Sequence, residues 1–284
     1  MSKNFARAIF AVTACFFAAF FLWPIIQILK GGFIDADGKF TLAYLGVLLV
    51  DPVYLGGLKN SFFLACATTT LALCIALPLA FISDRFLFPG KAFLGSLILI
   101  PMILPPFVGA IGIKQIFGQY GALNSLIIEL GLRPEGWTFD WFAANQFWGV
   151  AVIQALSLYP IIYLNAVAAL ANIDPAMEEA AQNLGARPER ALWRVTLPLV
   201  APNLLAGGLL AFAFAMLEVS DSLILAQKQI FYPITKAIME LFQLLGDGKY
   251  IASALGVWAM VFLGVTIVGM SLLLGKKLGA IFRV

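Results

Sequence analysis

The sequence predicts an all-α polytopic membrane protein with six transmembrane helices, and three observations carry that prediction. Of 284 residues, 62% are hydrophobic and only 12% are charged, against about 45–50% apolar and about 25% charged in ordinary soluble domains. Six apolar runs are each long enough to cross roughly 30 Å of hydrocarbon. In lipid every backbone N–H and C=O must find a partner within its own segment, so such runs are helices. The same composition excludes disorder and nucleic-acid binding, and the formal charge of +3 is too small to argue for an acidic partner. The bilayer itself is the first expected partner.

The runs fall at about 8–29, 61–83, 92–113, 146–171, 199–226 and 250–275, and together form a single transmembrane domain over 1–284. The first follows Lys3 and Arg7 and is longer than a signal-peptide core. No small-residue cleavage site follows Trp23-Pro24, so it reads as a retained anchor. The third carries Pro101, Pro105 and Pro106, then Gly109 and Gly112, and should be a broken helix able to bend. Before the fourth, Trp137, Trp141, Phe142 and Trp148 read as an interfacial belt with a short surface helix near 123–130.

Polar side chains inside spans ask for a reason. On the fourth span Gln154 and Ser157 share a face, near Tyr159 and Tyr163, and Pro160 should remove a ladder bond and open the helix. Packing between helices and lining of a pathway are both open readings. On the fifth, Glu218 and Asp221 lie three residues apart and so share a helical face. A charge at a helix centre costs about 2.5–3.5 kcal/mol on insertion scales. Either these carboxylates form a polar wall of a translocation path, or they end the helix and cap a re-entrant turn.

Lys3, Arg7, Arg85, Lys91, Arg187, Arg190, Arg194, Lys276, Lys277 and Arg283 share one face of a six-span arrangement, ten of the 18 basic residues, and that face joins its helices with the shorter connections. The positive-inside tendency then places both termini in the cytoplasm. Histidine is absent and Cys15, Cys66 and Cys74 lie apart in apolar stretches. Imidazole metal sites and His-based catalysis are excluded, so no catalytic residue, metal or cofactor is expected.

One connection stands out. Residues 172–198 read NIDPAMEEAAQNLGARPERALWRVTLP. Asp174 is a good N-cap, Pro175 fits a first helical position, Glu178 and Glu179 sit by the positive helix end, and Gly185 can stop the helix with φ > 0. A second helix starts at Pro188 and should end at Pro198, where the fifth span begins. The small residues Ala176, Ala180, Ala181 and Ala186 let another surface approach the first helix closely. A cytoplasmic helix-turn-helix results.

Glu179-Ala180-Ala181, three residues, Gly185, nine residues, then Val195-Thr196-Leu197-Pro198 resembles the EAA signature of permease subunits in binding-protein-dependent ABC importers, with Val where that pattern usually has Ile. The six-span frame is similar to the same family. The resemblance implies that Glu179, Ala180, Ala181, Gly185, Leu197 and Pro198 belong to a coupling loop docking into a cytoplasmic ATPase. It also implies two ATP-binding subunits, a second permease subunit, identical or related, and an extracytoplasmic solute-binding protein at a bacterial inner membrane. Asn183-Leu184-Gly185-Ala186 is closer in wording to permeases for iron(III), polyamine, thiamine, sulfate or phosphonate-type solutes than to those for maltose-type sugars. No G-x-x-x-x-G-K-[ST] phosphate cradle occurs in the chain, so ATP would be handled elsewhere. By position beside the loop, Gln154, Ser157, Glu218 and Asp221 are the pathway candidates. A secondary transporter using Glu218 and Asp221 as an ion relay is the alternative.

Overall fold

The computed structural model describes residues 3–142 and 145–281, with side chains through 272. Five helices are long and apolar enough to cross a membrane: α1 (Lys3–Gly31), α3 (Pro52–Arg85), α7 (Gln146–Leu170), α9 (Pro188–Leu217) and α12, which runs from Gly248 to Ile281. A sixth span is a broken one. Here α4 (Lys91–Ile103) meets the segment holding α5 (Pro106–Phe117) and α6 (Ala122–Glu129) at a bend of 98°. The bend follows from Pro105-Pro106. A residue before proline is pushed out of the α region, and Leu104 and Pro105 are both extended, with ψ of 135° and 132°. Shorter helices complete the chain: α2 (Ala43–Val50), α8 (Ala176–Asn183), α10 (Ser220–Leu225) and α11 (Ile234–Phe242). Arg283, counted in the charge balance, lies outside the described residues.

α3 starts well before residue 61 because Asp51 caps it: Oδ1 accepts from the Val53 N–H at 2.8 Å, and Pro52 takes the first position. At the centre, α3, α7 and α9 pack with α4 through small residues. Ala72, Ala76 and Ala80, four apart and so on one face, meet Ala155, Ala166 and Ala169 in one buried cluster. Lipid is as apolar as leucine, so close van der Waals contact and interhelical hydrogen bonds hold such helices together. Tyr159 donates to the Ile98 carbonyl at 2.8 Å, and Tyr163 to Ser83 Oγ at 3.0 Å.

Two proline expectations are corrected. α7 runs unbroken through Pro160, which is buried, so no opening forms there. α9 also runs through Pro198, because a π turn at Leu192–Thr196 widens the helix just before it and Leu197 N–H reaches back to the Leu192 carbonyl. The wider turn shifts the bonding to i→i−5 just before the proline ring, which would clash with a regular preceding turn. The second loop helix and the fifth span are therefore one helix.

α1 contains a similar π turn at Ala18–Leu22 and has no buried residue. Phe17 stacks on Phe21 within the helix, and Phe16 meets Phe20 at a tilt of 33°.

Candidate coupling and translocation sites

The loop between α7 and α9 is built by local capping. Asp174 Oδ1 accepts from the Ala176 N–H at 2.9 Å, opening α8. Gly185, at φ +89°, closes it: its N–H reaches the Gln182 carbonyl at 2.9 Å, and Ala186 N–H reaches the Ala181 carbonyl at 3.1 Å. These two bonds form a Schellman motif, whose left-handed residue is normally glycine.

Tertiary anchoring comes from Glu178, one residue before the motif glutamate. It is buried, and Arg85 at the end of α3 grips it with two charge-assisted bonds, Nη1 to Oε2 at 2.6 Å and Nη2 to Oε1 at 2.5 Å. Thr196 Oγ1 donates to the same Oε1. The loop is thus fastened to the end of α3 and to the π turn within α9. Glu179, Ala180 and Gly185 face outward, Ala181, Leu197 and Pro198 are half-buried, and Met177, Leu184 and Trp193 add exposed apolar surface. Neither Arg85 nor Thr196 was singled out from the sequence; the available signal was Thr196 inside the motif's Thr-Leu-Pro and a basic residue closing the second span.

The second candidate group lies where α9 stops. Glu218 and Asp221 do not share a helical face. The helix ends at Leu217, Glu218 is extended (ψ 137°), and α10 begins at Ser220. Glu218 Oε1 accepts from the N–H groups of Ser220 and Asp221, the latter at 3.3 Å, so it caps α10. Asp221 points inward and is 1% exposed. On α7, Gln154 is buried and accepts from Thr68 Oγ1 of α3 at 3.0 Å, tying the two helices together, whereas Ser157 is half-buried. Four buried side-chain atoms have no hydrogen-bond partner among the described residues: Thr69 Oγ1, Gln154 Nε2, Asp221 Oδ1 and Ser222 Oγ. Such atoms are few in folded proteins and call for an explanation.

The break is held by residues with no local signature. Thr235 Oγ1 donates to the Glu218 carbonyl at 2.8 Å, and Lys236 Nζ donates to the Ala226 carbonyl, so adjacent residues of α11 clamp the two ends of α10. Lys236 is 3% exposed, and burial pushes its ammonium below the usual lysine range while Glu240, 3.8 Å away, acts in the other direction. Asn60 and Ser61 of α3 hold the incoming segment through Ile230, Tyr232 and Ile234. Gln146 Oε1 accepts from the N–H groups of Gln227 and Lys228 at 2.9 and 3.0 Å.

A multi-helix membrane domain with this loop can be compared with known proteins. The family described as "Binding-protein-dependent transport system inner membrane component" matches residues 72–273. The chain belongs to this family. With its membrane-crossing helices it is therefore a multi-pass membrane protein of this transport-system family. Sulfate permease 2, chloroplastic, of Chlamydomonas reinhardtii is 29% identical over 212 residues, covering 75% of this chain and 54% of that protein. The ferric transport system permease protein FbpB of Actinobacillus pleuropneumoniae is 27% identical over 210 residues, covering 72% and 29%. The chain thus spans about half of the first relative and under a third of the second. Among solved structures, a bacterial ABC transporter involved in import of the acidic polysaccharide alginate shares the fold, with a TM-score of 0.76 at 18% identity over 96% of both chains. The matched family region contains α7, α8, α9 and α10, hence the whole loop and the break.

Proposed function

We propose that this chain is the pore-forming subunit of an ATP-driven ABC importer. It pairs with a second permease subunit, takes solute from an extracytoplasmic binding protein and is driven by two ATPase subunits docked on the cytoplasmic side, where both termini also lie. ATP hydrolysis belongs to those separate chains. The observation that carries the reading is the loop: an outward helix bearing Glu179, Ala180 and Ala181, stopped by Gly185, and fastened through Glu178 to Arg85 and Thr196. A push on α8 passes directly to the end of α3 and to α9 at Thr196. α9 leads without a break to Leu217, so movement of the loop reaches the carboxylate region at Glu218 and Asp221.

Gln154, Asp221, Ser222 and Thr69 supply buried polar side-chain atoms with no hydrogen-bond partner among the described residues, which supports placing the path beside these helices. Ser157 extends the same face of α7 by about one turn. In proteoliposomes holding this chain with its ATPase and binding protein, Gly185→Val should leave insertion and ATP hydrolysis intact and abolish ATP-dependent uptake. Undiminished uptake would contradict the coupling role. Uptake driven by a proton gradient with the ATPase absent would contradict the importer reading itself.

A further inference from the structure

At the end of the bundle opposite the coupling loop, α5, the turn after it, α10 and the start of α7 border a cavity of about 670 Å³ that is open to the outside, with Lys114, Gln115, Gln119 and Tyr120 exposed along it. Its lining is rich in hydrogen-bond donors. Lys114, near the end of α5, has no carboxylate within 4.0 Å among the described residues, and its Nζ reaches only the Ile224 carbonyl, at 3.4 Å. The side-chain amide of Gln115, beside it, makes no hydrogen bond within the described protein.

The chain then folds sharply back. Gly121 N–H bonds to the Gly118 carbonyl at 2.9 Å, making Gln119 and Tyr120 the centre of a β-turn. The backbone N–H groups of these two residues donate to no acceptor among the described residues. Successive free N–H groups in a turn favour an anion. Both glycines are required for this fit: a Cβ at Gly118 would stand 2.4 Å from the Lys114 carbonyl oxygen, and one at Gly121 2.4 Å from that of Ile116. The turn is therefore pressed against the helix that carries the lysine. Asp140, the carboxylate in the lining, accepts at Oδ1 from the Phe142 N–H at 2.9 Å. The opposite wall is α10, the helix that carries Asp221 and Ser222.

We infer that this cavity binds a tetrahedral oxyanion group of the transported solute, such as a sulfate or phosphonate, with Lys114 as the charge-bearing ligand and the Gln119–Tyr120 turn as the donor of neutral bonds. The inference rests on the reading of the chain as a permease. It names the solute class and a first binding station, which the coupling loop does not.

The test uses the assembled transporter in nanodiscs of phosphatidylcholine, with radiolabelled sulfate and methylphosphonate as probes at constant chloride. Saturable binding of either anion should weaken roughly tenfold or more in Lys114→Gln, the loss of about one charge-assisted bond. It should persist in Lys114→Arg and in Lys59→Gln, which changes a lysine outside the cavity. No saturable binding, or equal binding in Lys114→Gln, overturns the site. So does a result in which only phosphatidylglycerol discriminates the wild type from Lys114→Gln, since that makes Lys114 a lipid contact. ATP hydrolysis by the same discs reports separately on the permease reading. Hydrolysis without anion binding removes the site alone, and anion binding without ATPase assembly removes the permease reading alone.

Discussion

Glu178 separates two jobs that the loop motif combines. Its neighbour Glu179 is free to meet another surface, while Glu178 itself is spent on Arg85 and Thr196. Removing one partner of such a pair leaves a desolvated charge, which costs several kcal/mol at fully buried sites. The Arg85 side chain is 38% exposed, so solvent screening reduces that figure and Arg85→Ala should cost about 1–2 kcal/mol. Hydrogen exchange across 176–186 should speed up correspondingly, and the exchanged pair Arg85→Glu with Glu178→Arg should recover part of the protection. Unchanged exchange in Arg85→Ala would mean the loop is held by something else. Gly185→Ala forces a Cβ into the left-handed region at a cost of about 1–2 kcal/mol. Loss of amide protection at Ala186, whose N–H closes the Schellman motif, is the direct readout. Asp174 and Gly185 were legible in the sequence because a cap acts within a few residues. The Arg85–Glu178 pair spans 93 positions and leaves no local trace.

At the scale of elements, the proline-bearing helices show where sequence reading succeeds and where it fails. Pro105-Pro106 breaks its span because two consecutive extended residues have no helical remedy. Pro198 does not, because a π turn supplies one, and Pro160 sits within an unbroken helix. The difference lies in the neighbouring helical turns and the tertiary packing, neither of which a proline count contains. The break after Leu217 occurs without proline. It is stabilised by Glu218 capping α10 and by Thr235 and Lys236 taking the carbonyls of Glu218 and Ala226. Glu218→Ala should destabilise this region by about 1 kcal/mol, the usual value of a lost cap, whereas Glu218→Gln retains an acceptor and should lose less. Transport that follows the ability to cap would mark Glu218 as structural. Equal damage from both variants would return it to the charged wall of a pathway. Thr235→Val, which frees the Glu218 carbonyl, should loosen the same element by about 1–2 kcal/mol, measured as faster exchange of the α10 amides.

Across the whole molecule, composition and run length were enough to specify a helical membrane protein, since the apolar runs are about twice as long as a barrel strand and satisfy their backbone only as helices. What they could not specify was which helices touch. α3, α7 and α9 form the packed centre through alanines, while α1, equally apolar, buries nothing. The two ends of the bundle differ in chemistry. One carries the anchored loop with exposed Met177, Leu184 and Trp193, and the other carries the donor-lined cavity and the clamp on α10. Such polarity suits a machine driven from one side and loaded from the other. The most direct test places a photo-crosslinking residue at Leu184, 91% exposed on the loop, and in a second protein at Leu245, fully exposed at the opposite end. In the transporter reconstituted with its ATPase and binding protein, Leu184 should capture the ATP-binding subunit and Leu245 should not. Capture of that subunit from Leu245, or from neither position, would contradict the account.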